Sequence, residues 1–123
     1  MITETITYID FNGEEQTETA YFNLTESELM RFNASIPGGL KKKIEKFEKA
    51  QDQDPYEILS LFEDIVLRAY GRKSEDGKRF EKAGGALAVE FAETAAYAAL
   101  IMKFIKNPDL ATKFINGLAP NIK

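Results

Sequence analysis

The chain has 123 residues, 44% of them hydrophobic, and 20 acidic against 16 basic side chains give it a net charge of −4. It contains no His, Cys or Trp, which removes the commonest general base, the thiol nucleophile, any disulfide scaffold and most transition-metal ligands. A net negative chain repels a phosphate backbone at long range, so nucleic acid is not a favoured partner.

Length and apolar content suit one domain over residues 1–123, with a β-hairpin over 1–23 and a helical part over 25–117. The start, Met1-Ile2-Thr3-Glu4-Thr5, lacks the basic and apolar regions of a secretory signal. The most apolar stretch, Ala86 to Ile105, carries Glu90, Glu93 and Lys103 and is too polar for a membrane span. The expectation is a soluble intracellular protein with no membrane partner.

In the first segment Ile2, Ile6 and Tyr8 share one parity, Thr3, Thr5 and Thr7 the other, and Asn12-Gly13 supplies a turn. A return strand is expected from about Glu15 to Phe22, with Ala20 and Phe22 on one face and Thr17, Thr19 and Tyr21 on the other. Thr25-x-x-Glu28 is a capping box, and Leu24 and Leu29 hold the positions of a hydrophobic staple. Pro37-Gly38-Gly39 ends that short helix. Leu40, Ile44 and Phe47 then recur at helical spacing, while Lys41, Lys42, Lys43, Lys46 and Lys49, interrupted by Glu45 and Glu48, form a solvated face.

Asp54-Pro55-Tyr56-Glu57 places an N-cap carboxylate, Pro at N1 and Glu at N3. Ile58, Leu59, Leu61, Phe62, Ile65, Val66 and Ala69 cover more than one narrow stripe, so this helix is expected to be central. Gly71 is read as its left-handed stop. Ser74 is expected to cap a short helix through Phe80, Gly84-Gly85 to interrupt it, and one long helix to follow from Ala86 to Lys106. Ala95, Ala96, Ala98 and Ala99 would allow a neighbouring helix to come close. Asn107-Pro108 ends that helix, and Asp109 caps a last one, Leu110 to Ile115, closed by Asn116-Gly117. The fold class is α+β, mostly α: an N-terminal β-hairpin followed by a helical bundle.

No set of residues carries an evident chemistry, and no cofactor or metal is implied. Ser74-Glu75-Asp76-Gly77 lacks the alternating oxygen ligands of a calcium loop. Glu90 and Glu93 fit solvent-exposed charge better than a catalytic carboxylate pair. Gly38-Gly39 and Gly84-Gly85 match neither phosphate-binding pattern. Tyr70, Tyr97, Phe104 and Phe114 are either core or interaction anchors. The charged run from Tyr70 to Phe80 reads as a recognition feature, with Tyr70, Arg72, Lys73, Asp76, Arg79 and Phe80 as its interaction candidates and no catalytic residue among them.

The order of features is more specific: a Thr-rich hairpin around Phe11-Asn12-Gly13, then Tyr21-Phe22-Asn23-Leu24-Thr25-x-x-Glu28-Leu29, then the Gly38-Gly39-Leu40 break. Ala69-Tyr70-Gly71-Arg72-Lys73-Ser74-Glu75-Asp76-Gly77-Lys78-Arg79-Phe80, Phe91-Ala92-Glu93-Thr94-Ala95-Ala96-Tyr97 and Phe114-Ile115-Asn116-Gly117-Leu118 extend it along nearly the whole chain. This resembles the tail assembly chaperones of long-tailed phages and prophages of Gram-positive bacteria. The resemblance implies a non-enzymatic protein that coats the tape measure protein, recruits tail tube protein in the host cytoplasm and is absent from the mature virion. It also implies self-association and a longer frameshifted form, of which this chain would be the short version. The alternatives are a permanent tail or connector subunit of the phage particle and a small regulatory module that binds a host protein.

Overall fold

Alternating threonine and apolar positions build the first two strands, β1 (Ile2–Ile9) and β2 (Glu15–Phe22), which pair antiparallel from Ile2 opposite Phe22 to Ile9 opposite Glu15. They appear in a computed structural model that describes residues 1–49 and 55–118. One face of the hairpin buries Ile6, Ala20 and Phe22; the other exposes Thr3, Thr5, Thr7, Thr17 and Thr19. The turn is a type I turn followed by a left-handed residue: Gly13 N–H donates to the Asp10 carbonyl at 3.0 Å, and Gly13 has φ +80°.

The capping box forms as expected and starts α1 (Glu26–Ser35): Glu28 N–H donates to Thr25 Oγ1, and Thr25 N–H donates to Glu28 Oε1. Helix α2 (Leu40–Lys49) follows the glycine break, and its first amide donates to Asn33 Oδ1 at 2.7 Å. Leu40 is buried and Ile44 packs on the core; the side chain of Phe47 lies outside the described residues. Helix α3 (Pro55–Ala69) begins at its proline, while the expected cap at Asp54 lies outside the described residues. It buries Leu61, Ile65, Val66 and Ala69, and Phe62 is partly buried.

Three expected boundaries are corrected. Gly71 does not stop α3 in a left-handed conformation, because the chain runs directly into β3 (Tyr70–Lys73), which pairs with β2. The short helix from Ser74 to Phe80 does not form; β3 turns back into β4 (Phe80–Glu81), completing a four-stranded sheet in the order β1-β2-β3-β4. The long helix is two helices, α4 (Ala86–Ala92) and α5 (Ala95–Lys106), with a 76° bend between Ala83–Ala92 and Ala95–Lys106. Thr94 makes that break, since its hydroxyl donates to the Phe91 carbonyl at 2.7 Å and accepts from Tyr97 N–H at 3.1 Å. One side chain thus satisfies the end of α4 and caps the start of α5.

The last helix, α6 (Pro108–Leu118), is longer than expected at both ends, with Pro108 rather than Leu110 at its start and Asn116-Gly117 inside it. A Cβ on Gly117 would stand 2.8 Å from Ile2 Cδ1, so that glycine permits contact between α6 and β1. Helices α5 and α6 pack on the buried face of β1, and α3 on β2. The expectation of a hairpin followed by mostly helical structure holds, with a second hairpin added. No single helix among the described residues is long and apolar enough to cross a membrane.

Phe22 is fully buried and stands at the centre of an aromatic cluster. Its ring meets Phe114 edge-on at 5.2 Å, Tyr70 at 5.8 Å and Phe91 at 6.2 Å. Phe114 continues to Phe104 at 4.9 Å, and Phe104 to Phe62 at 5.3 Å. Tyr97, Phe104 and Phe114 are therefore core residues, with the Tyr97 hydroxyl donating to Glu63 on α3 at 2.9 Å. Phe22→Ala is expected to cost about 3–5 kcal/mol, and Phe62→Ala less, about 2–3 kcal/mol, because its ring is only partly buried. Denaturant melts of the two variants check the order; equal losses would deny Phe22 its central place.

Candidate functional site

The charged run from Tyr70 to Phe80 is the β3–β4 hairpin, at the edge of the sheet. Ser74 and Asp76 build its turn. Ser74 N–H donates to the Arg79 carbonyl at 2.9 Å, and Ser74 Oγ accepts from Arg79 N–H at 3.1 Å while donating to Asp76 Oδ1 at 2.6 Å. Lys78 N–H donates to the same Asp76 oxygen at 3.0 Å. The Ser74 hydroxyl and the Lys78 amide hold the Asp76 carboxyl below its ordinary value. Ser74 does cap an amide, but across the hairpin rather than in a helix. The Asp76-Gly77 pair was the sequence signal for this turn.

Gly71 sets the spacing of the two strands. A Cβ there would lie 2.5 Å from Phe80 Cε2 and 2.7 Å from the Glu81 carbonyl oxygen, so only glycine lets the Phe80 ring lie across β3. On the opposite side of β3, Tyr70 stacks on Phe91 with parallel rings 4.0 Å apart. Burial pushes the Tyr70 hydroxyl above its ordinary value.

The hairpin brings all six candidate residues into one element but gives them different tasks. Arg72, Lys73 and Arg79 are exposed. Arg72 stands opposite Glu81, and Lys73 opposite Phe80. Arg79 Nη2 lies 3.6 Å from Glu81 Oε2 with its side chain 72% exposed, which makes a weak pair and leaves the guanidinium available. Asp76 is committed to the turn, Phe80 is partly buried, and Tyr70 supports the hairpin from the core side.

Lys82, which the sequence did not single out, anchors the base of this hairpin. Its ammonium donates to the Arg68 carbonyl at 2.6 Å, to Glu28 Oε2 at 2.7 Å and to the Asn23 carbonyl at 3.0 Å. It also stands 5.8 Å from the centre of the Phe80 ring. Partial burial pushes the Glu28 carboxyl up, but the Lys82 hydrogen bond, the Thr25 amide and the Lys82 charge together hold it below its ordinary value. A salt bridge joining residues so distant in sequence has no local signal.

Elsewhere, Glu90 and Glu93 are exposed. Among the described residues no group of three His, Cys, Asp or Glu side chains is placed to hold a metal ion. The hairpin offers exposed cations on a stiff edge, an arrangement that can bind a complementary surface.

Two outcomes are expected of variants in this region. Gly71→Ala drives a Cβ into the β4 backbone and should cost about 1–3 kcal/mol, with faster amide exchange across the β3–β4 pair as the site-specific readout. Glu28→Gln should lower stability at neutral pH by about 1 kcal/mol, a modest figure because the carboxylate is over a third exposed. A depressed folded-state pKa contributes stability above the unfolded value and loses it as pH falls through the folded one. The gap between Glu28→Gln and the parent should therefore close in melts run progressively below pH 4.5, the ordinary glutamate value; a constant gap would show that ionisation of Glu28 is not the cause.

No curated protein and no solved structure matches the chain. The sequence model of one family, described as phage tail assembly chaperone, matches residues 1–122. With that match over essentially the whole length, the chain belongs to the phage tail assembly chaperone family.

Proposed function

We propose that this chaperone binds the tape measure protein, keeps that client from aggregating and recruits tail tube protein to it. The observation that carries this reading is the family match over residues 1–122. The exposed Arg72, Lys73 and Arg79 on the braced β3–β4 hairpin support a surface through which such contacts are made. The protein acts by binding rather than catalysis, in the host cytoplasm, and leaves before the virion matures. It associates with copies of itself and with a longer frameshifted form that shares this sequence.

Co-expression with the tape measure and tail tube proteins of the same phage, followed by affinity capture and sizing, tests the reading. The tape measure protein should be insoluble alone and recovered in a soluble complex with this chain. Arg79→Ala combined with Arg72→Ala should reduce capture several-fold with little change in melting temperature, because both side chains are exposed and the Arg79–Glu81 pair is weak. Capture of neither protein, together with this chain in finished particles, would overturn the chaperone role. Undiminished capture by the double variant would remove the hairpin from the contact.

A further inference from the structure

Among the described residues the most exposed large apolar side chain stands not on the charged hairpin but at the tip of the first one. Phe11, at the tip of the β1–β2 hairpin, is 86% exposed, and the neighbouring Ile9 is 60% exposed. The tip is held rigidly: Asp10 Oδ1 accepts from Asn12 N–H and Glu14 N–H, each at 2.9 Å, and Asp10 Oδ2 accepts from Gln16 Nε2 at 2.9 Å. A fixed turn that presents an aromatic ring to water has already met part of the ordering cost of binding.

The same molecule carries a groove of about 660 Å3 between the end of α1 and α3. Phe32 and Leu61, both buried, and the neighbouring Ile36 and Pro37 supply apolar lining, and Lys42 and Lys43 stand along the α2 side. Glu57 and Asp64 line the α3 side, and Asp64 is answered by Arg68 at 2.8 Å.

Charge is divided between these two regions. Residues 1–30 contain seven acidic side chains and no basic one, with Asp10, Glu14 and Glu15 at or beside the tip. The α2 segment Leu40–Lys49 contains five lysines and two glutamates. An acidic rim around an apolar tip thus has its complement beside an apolar groove on the same chain.

We propose that Phe11 of one copy inserts into the groove between α1 and α3 of a second copy, with Glu14 and Glu15 facing Lys42 and Lys43, so that copies join head to tail. This rests on the self-association in the proposed function and assigns its two surfaces. The contact is heterologous, using different patches on the two copies, and it adds copies in a row unless the rotation closes a ring. One aromatic anchor and a rim of charges make each joint small, reversible and weakened by salt.

Sedimentation velocity of the full chain over a concentration series, at low and high salt, reads the assembly. The parent should show salt-sensitive, concentration-dependent growth. Phe11→Ala should weaken it about tenfold at unchanged melting temperature, since the ring is exposed. Lys42→Glu with Lys43→Glu should weaken growth by at least as much, and adding Glu14→Lys and Glu15→Lys to the same chain should restore it. Phe11→Ala keeps an intact groove and the lysine variant an intact tip, so a mixture of the two should stop at a one-to-one dimer. Oligomers that persist unchanged in Phe11→Ala would overturn this contact while leaving self-association standing. A parent that stays monomeric throughout would overturn both, with client capture judged separately by co-expression. Loss of client capture by Phe11→Ala in a monomeric parent would reassign the tip to the client.

Discussion

Lys82 holds together parts of the chain that would otherwise meet only at their edges. An ammonium has three protons, and here each has an acceptor from a different place: the Asn23 carbonyl after β2, the Arg68 carbonyl in the last turn of α3, and the Glu28 carboxylate in the first turn of α1. The last turn of α3 presents carbonyls with no helical partner and the negative end of the helix dipole, so a cation there is favoured twice over. Glu28 in turn accepts from Thr25 N–H, so the capping box that starts α1 shares its carboxylate with the lysine that closes α3. The lysine side chain is only 21% exposed, which strengthens these charge-assisted bonds, while the 38% exposure of Glu28 keeps the ion pair's own contribution modest.

This arrangement explains why α3 can pass into β3 without a loop. Asn23 N–H donates to the Ala69 carbonyl at 2.8 Å, beginning the pairing of β2 with the chain just where the helix ends. Tyr70 then turns its ring inward between Phe22 and Phe91, and Gly71 lets β4 close over the outside. The hairpin that carries the exposed cations is therefore fixed at three levels: an aromatic stack beneath, a lysine at its base and the Ser74–Asp76 hydrogen bonds at its tip. An exposed edge supported in this way would lose little conformational entropy on binding.

How far the sequence disclosed the fold follows the range of the interactions. The first hairpin, the α1 capping box and the proline start of α3 were legible because each is written in residues a few positions apart, and their physics is local. The second hairpin was not legible. Ser74-x-x-Gly77 fits a helix cap as well as a turn, and what decides between them is the pairing of β3 with β2, about fifty residues away in sequence. The break at Thr94 was hidden by a run of good helix formers on both sides; a hydroxyl that serves two helix ends outweighs their propensity. At the site the six candidate residues were found on one element, but their division into exposed cations, turn builder and buried support depends on strand pairing and on Gly71, which only the folded chain reveals.

Both hairpins use an aspartate to stiffen a turn and then expose what lies beside it. Asp76 orders the tip next to Arg79, and Asp10 orders the tip that carries Phe11. Backbone amides, with Gln16 at Asp10 and the Ser74 hydroxyl at Asp76, hold each carboxyl below its ordinary value. Neither hairpin needs those exposed side chains for its own stability, since the strands are held by ladder hydrogen bonds and by packing on the helices. Such side chains can change without loss of the fold, and their chemistry differs at the two tips, cationic at one and aromatic with acidic neighbours at the other. A molecule that keeps two rigid, chemically distinct projections on one core can engage two different surfaces at once, which is the physical requirement of the client binding and self-association proposed above.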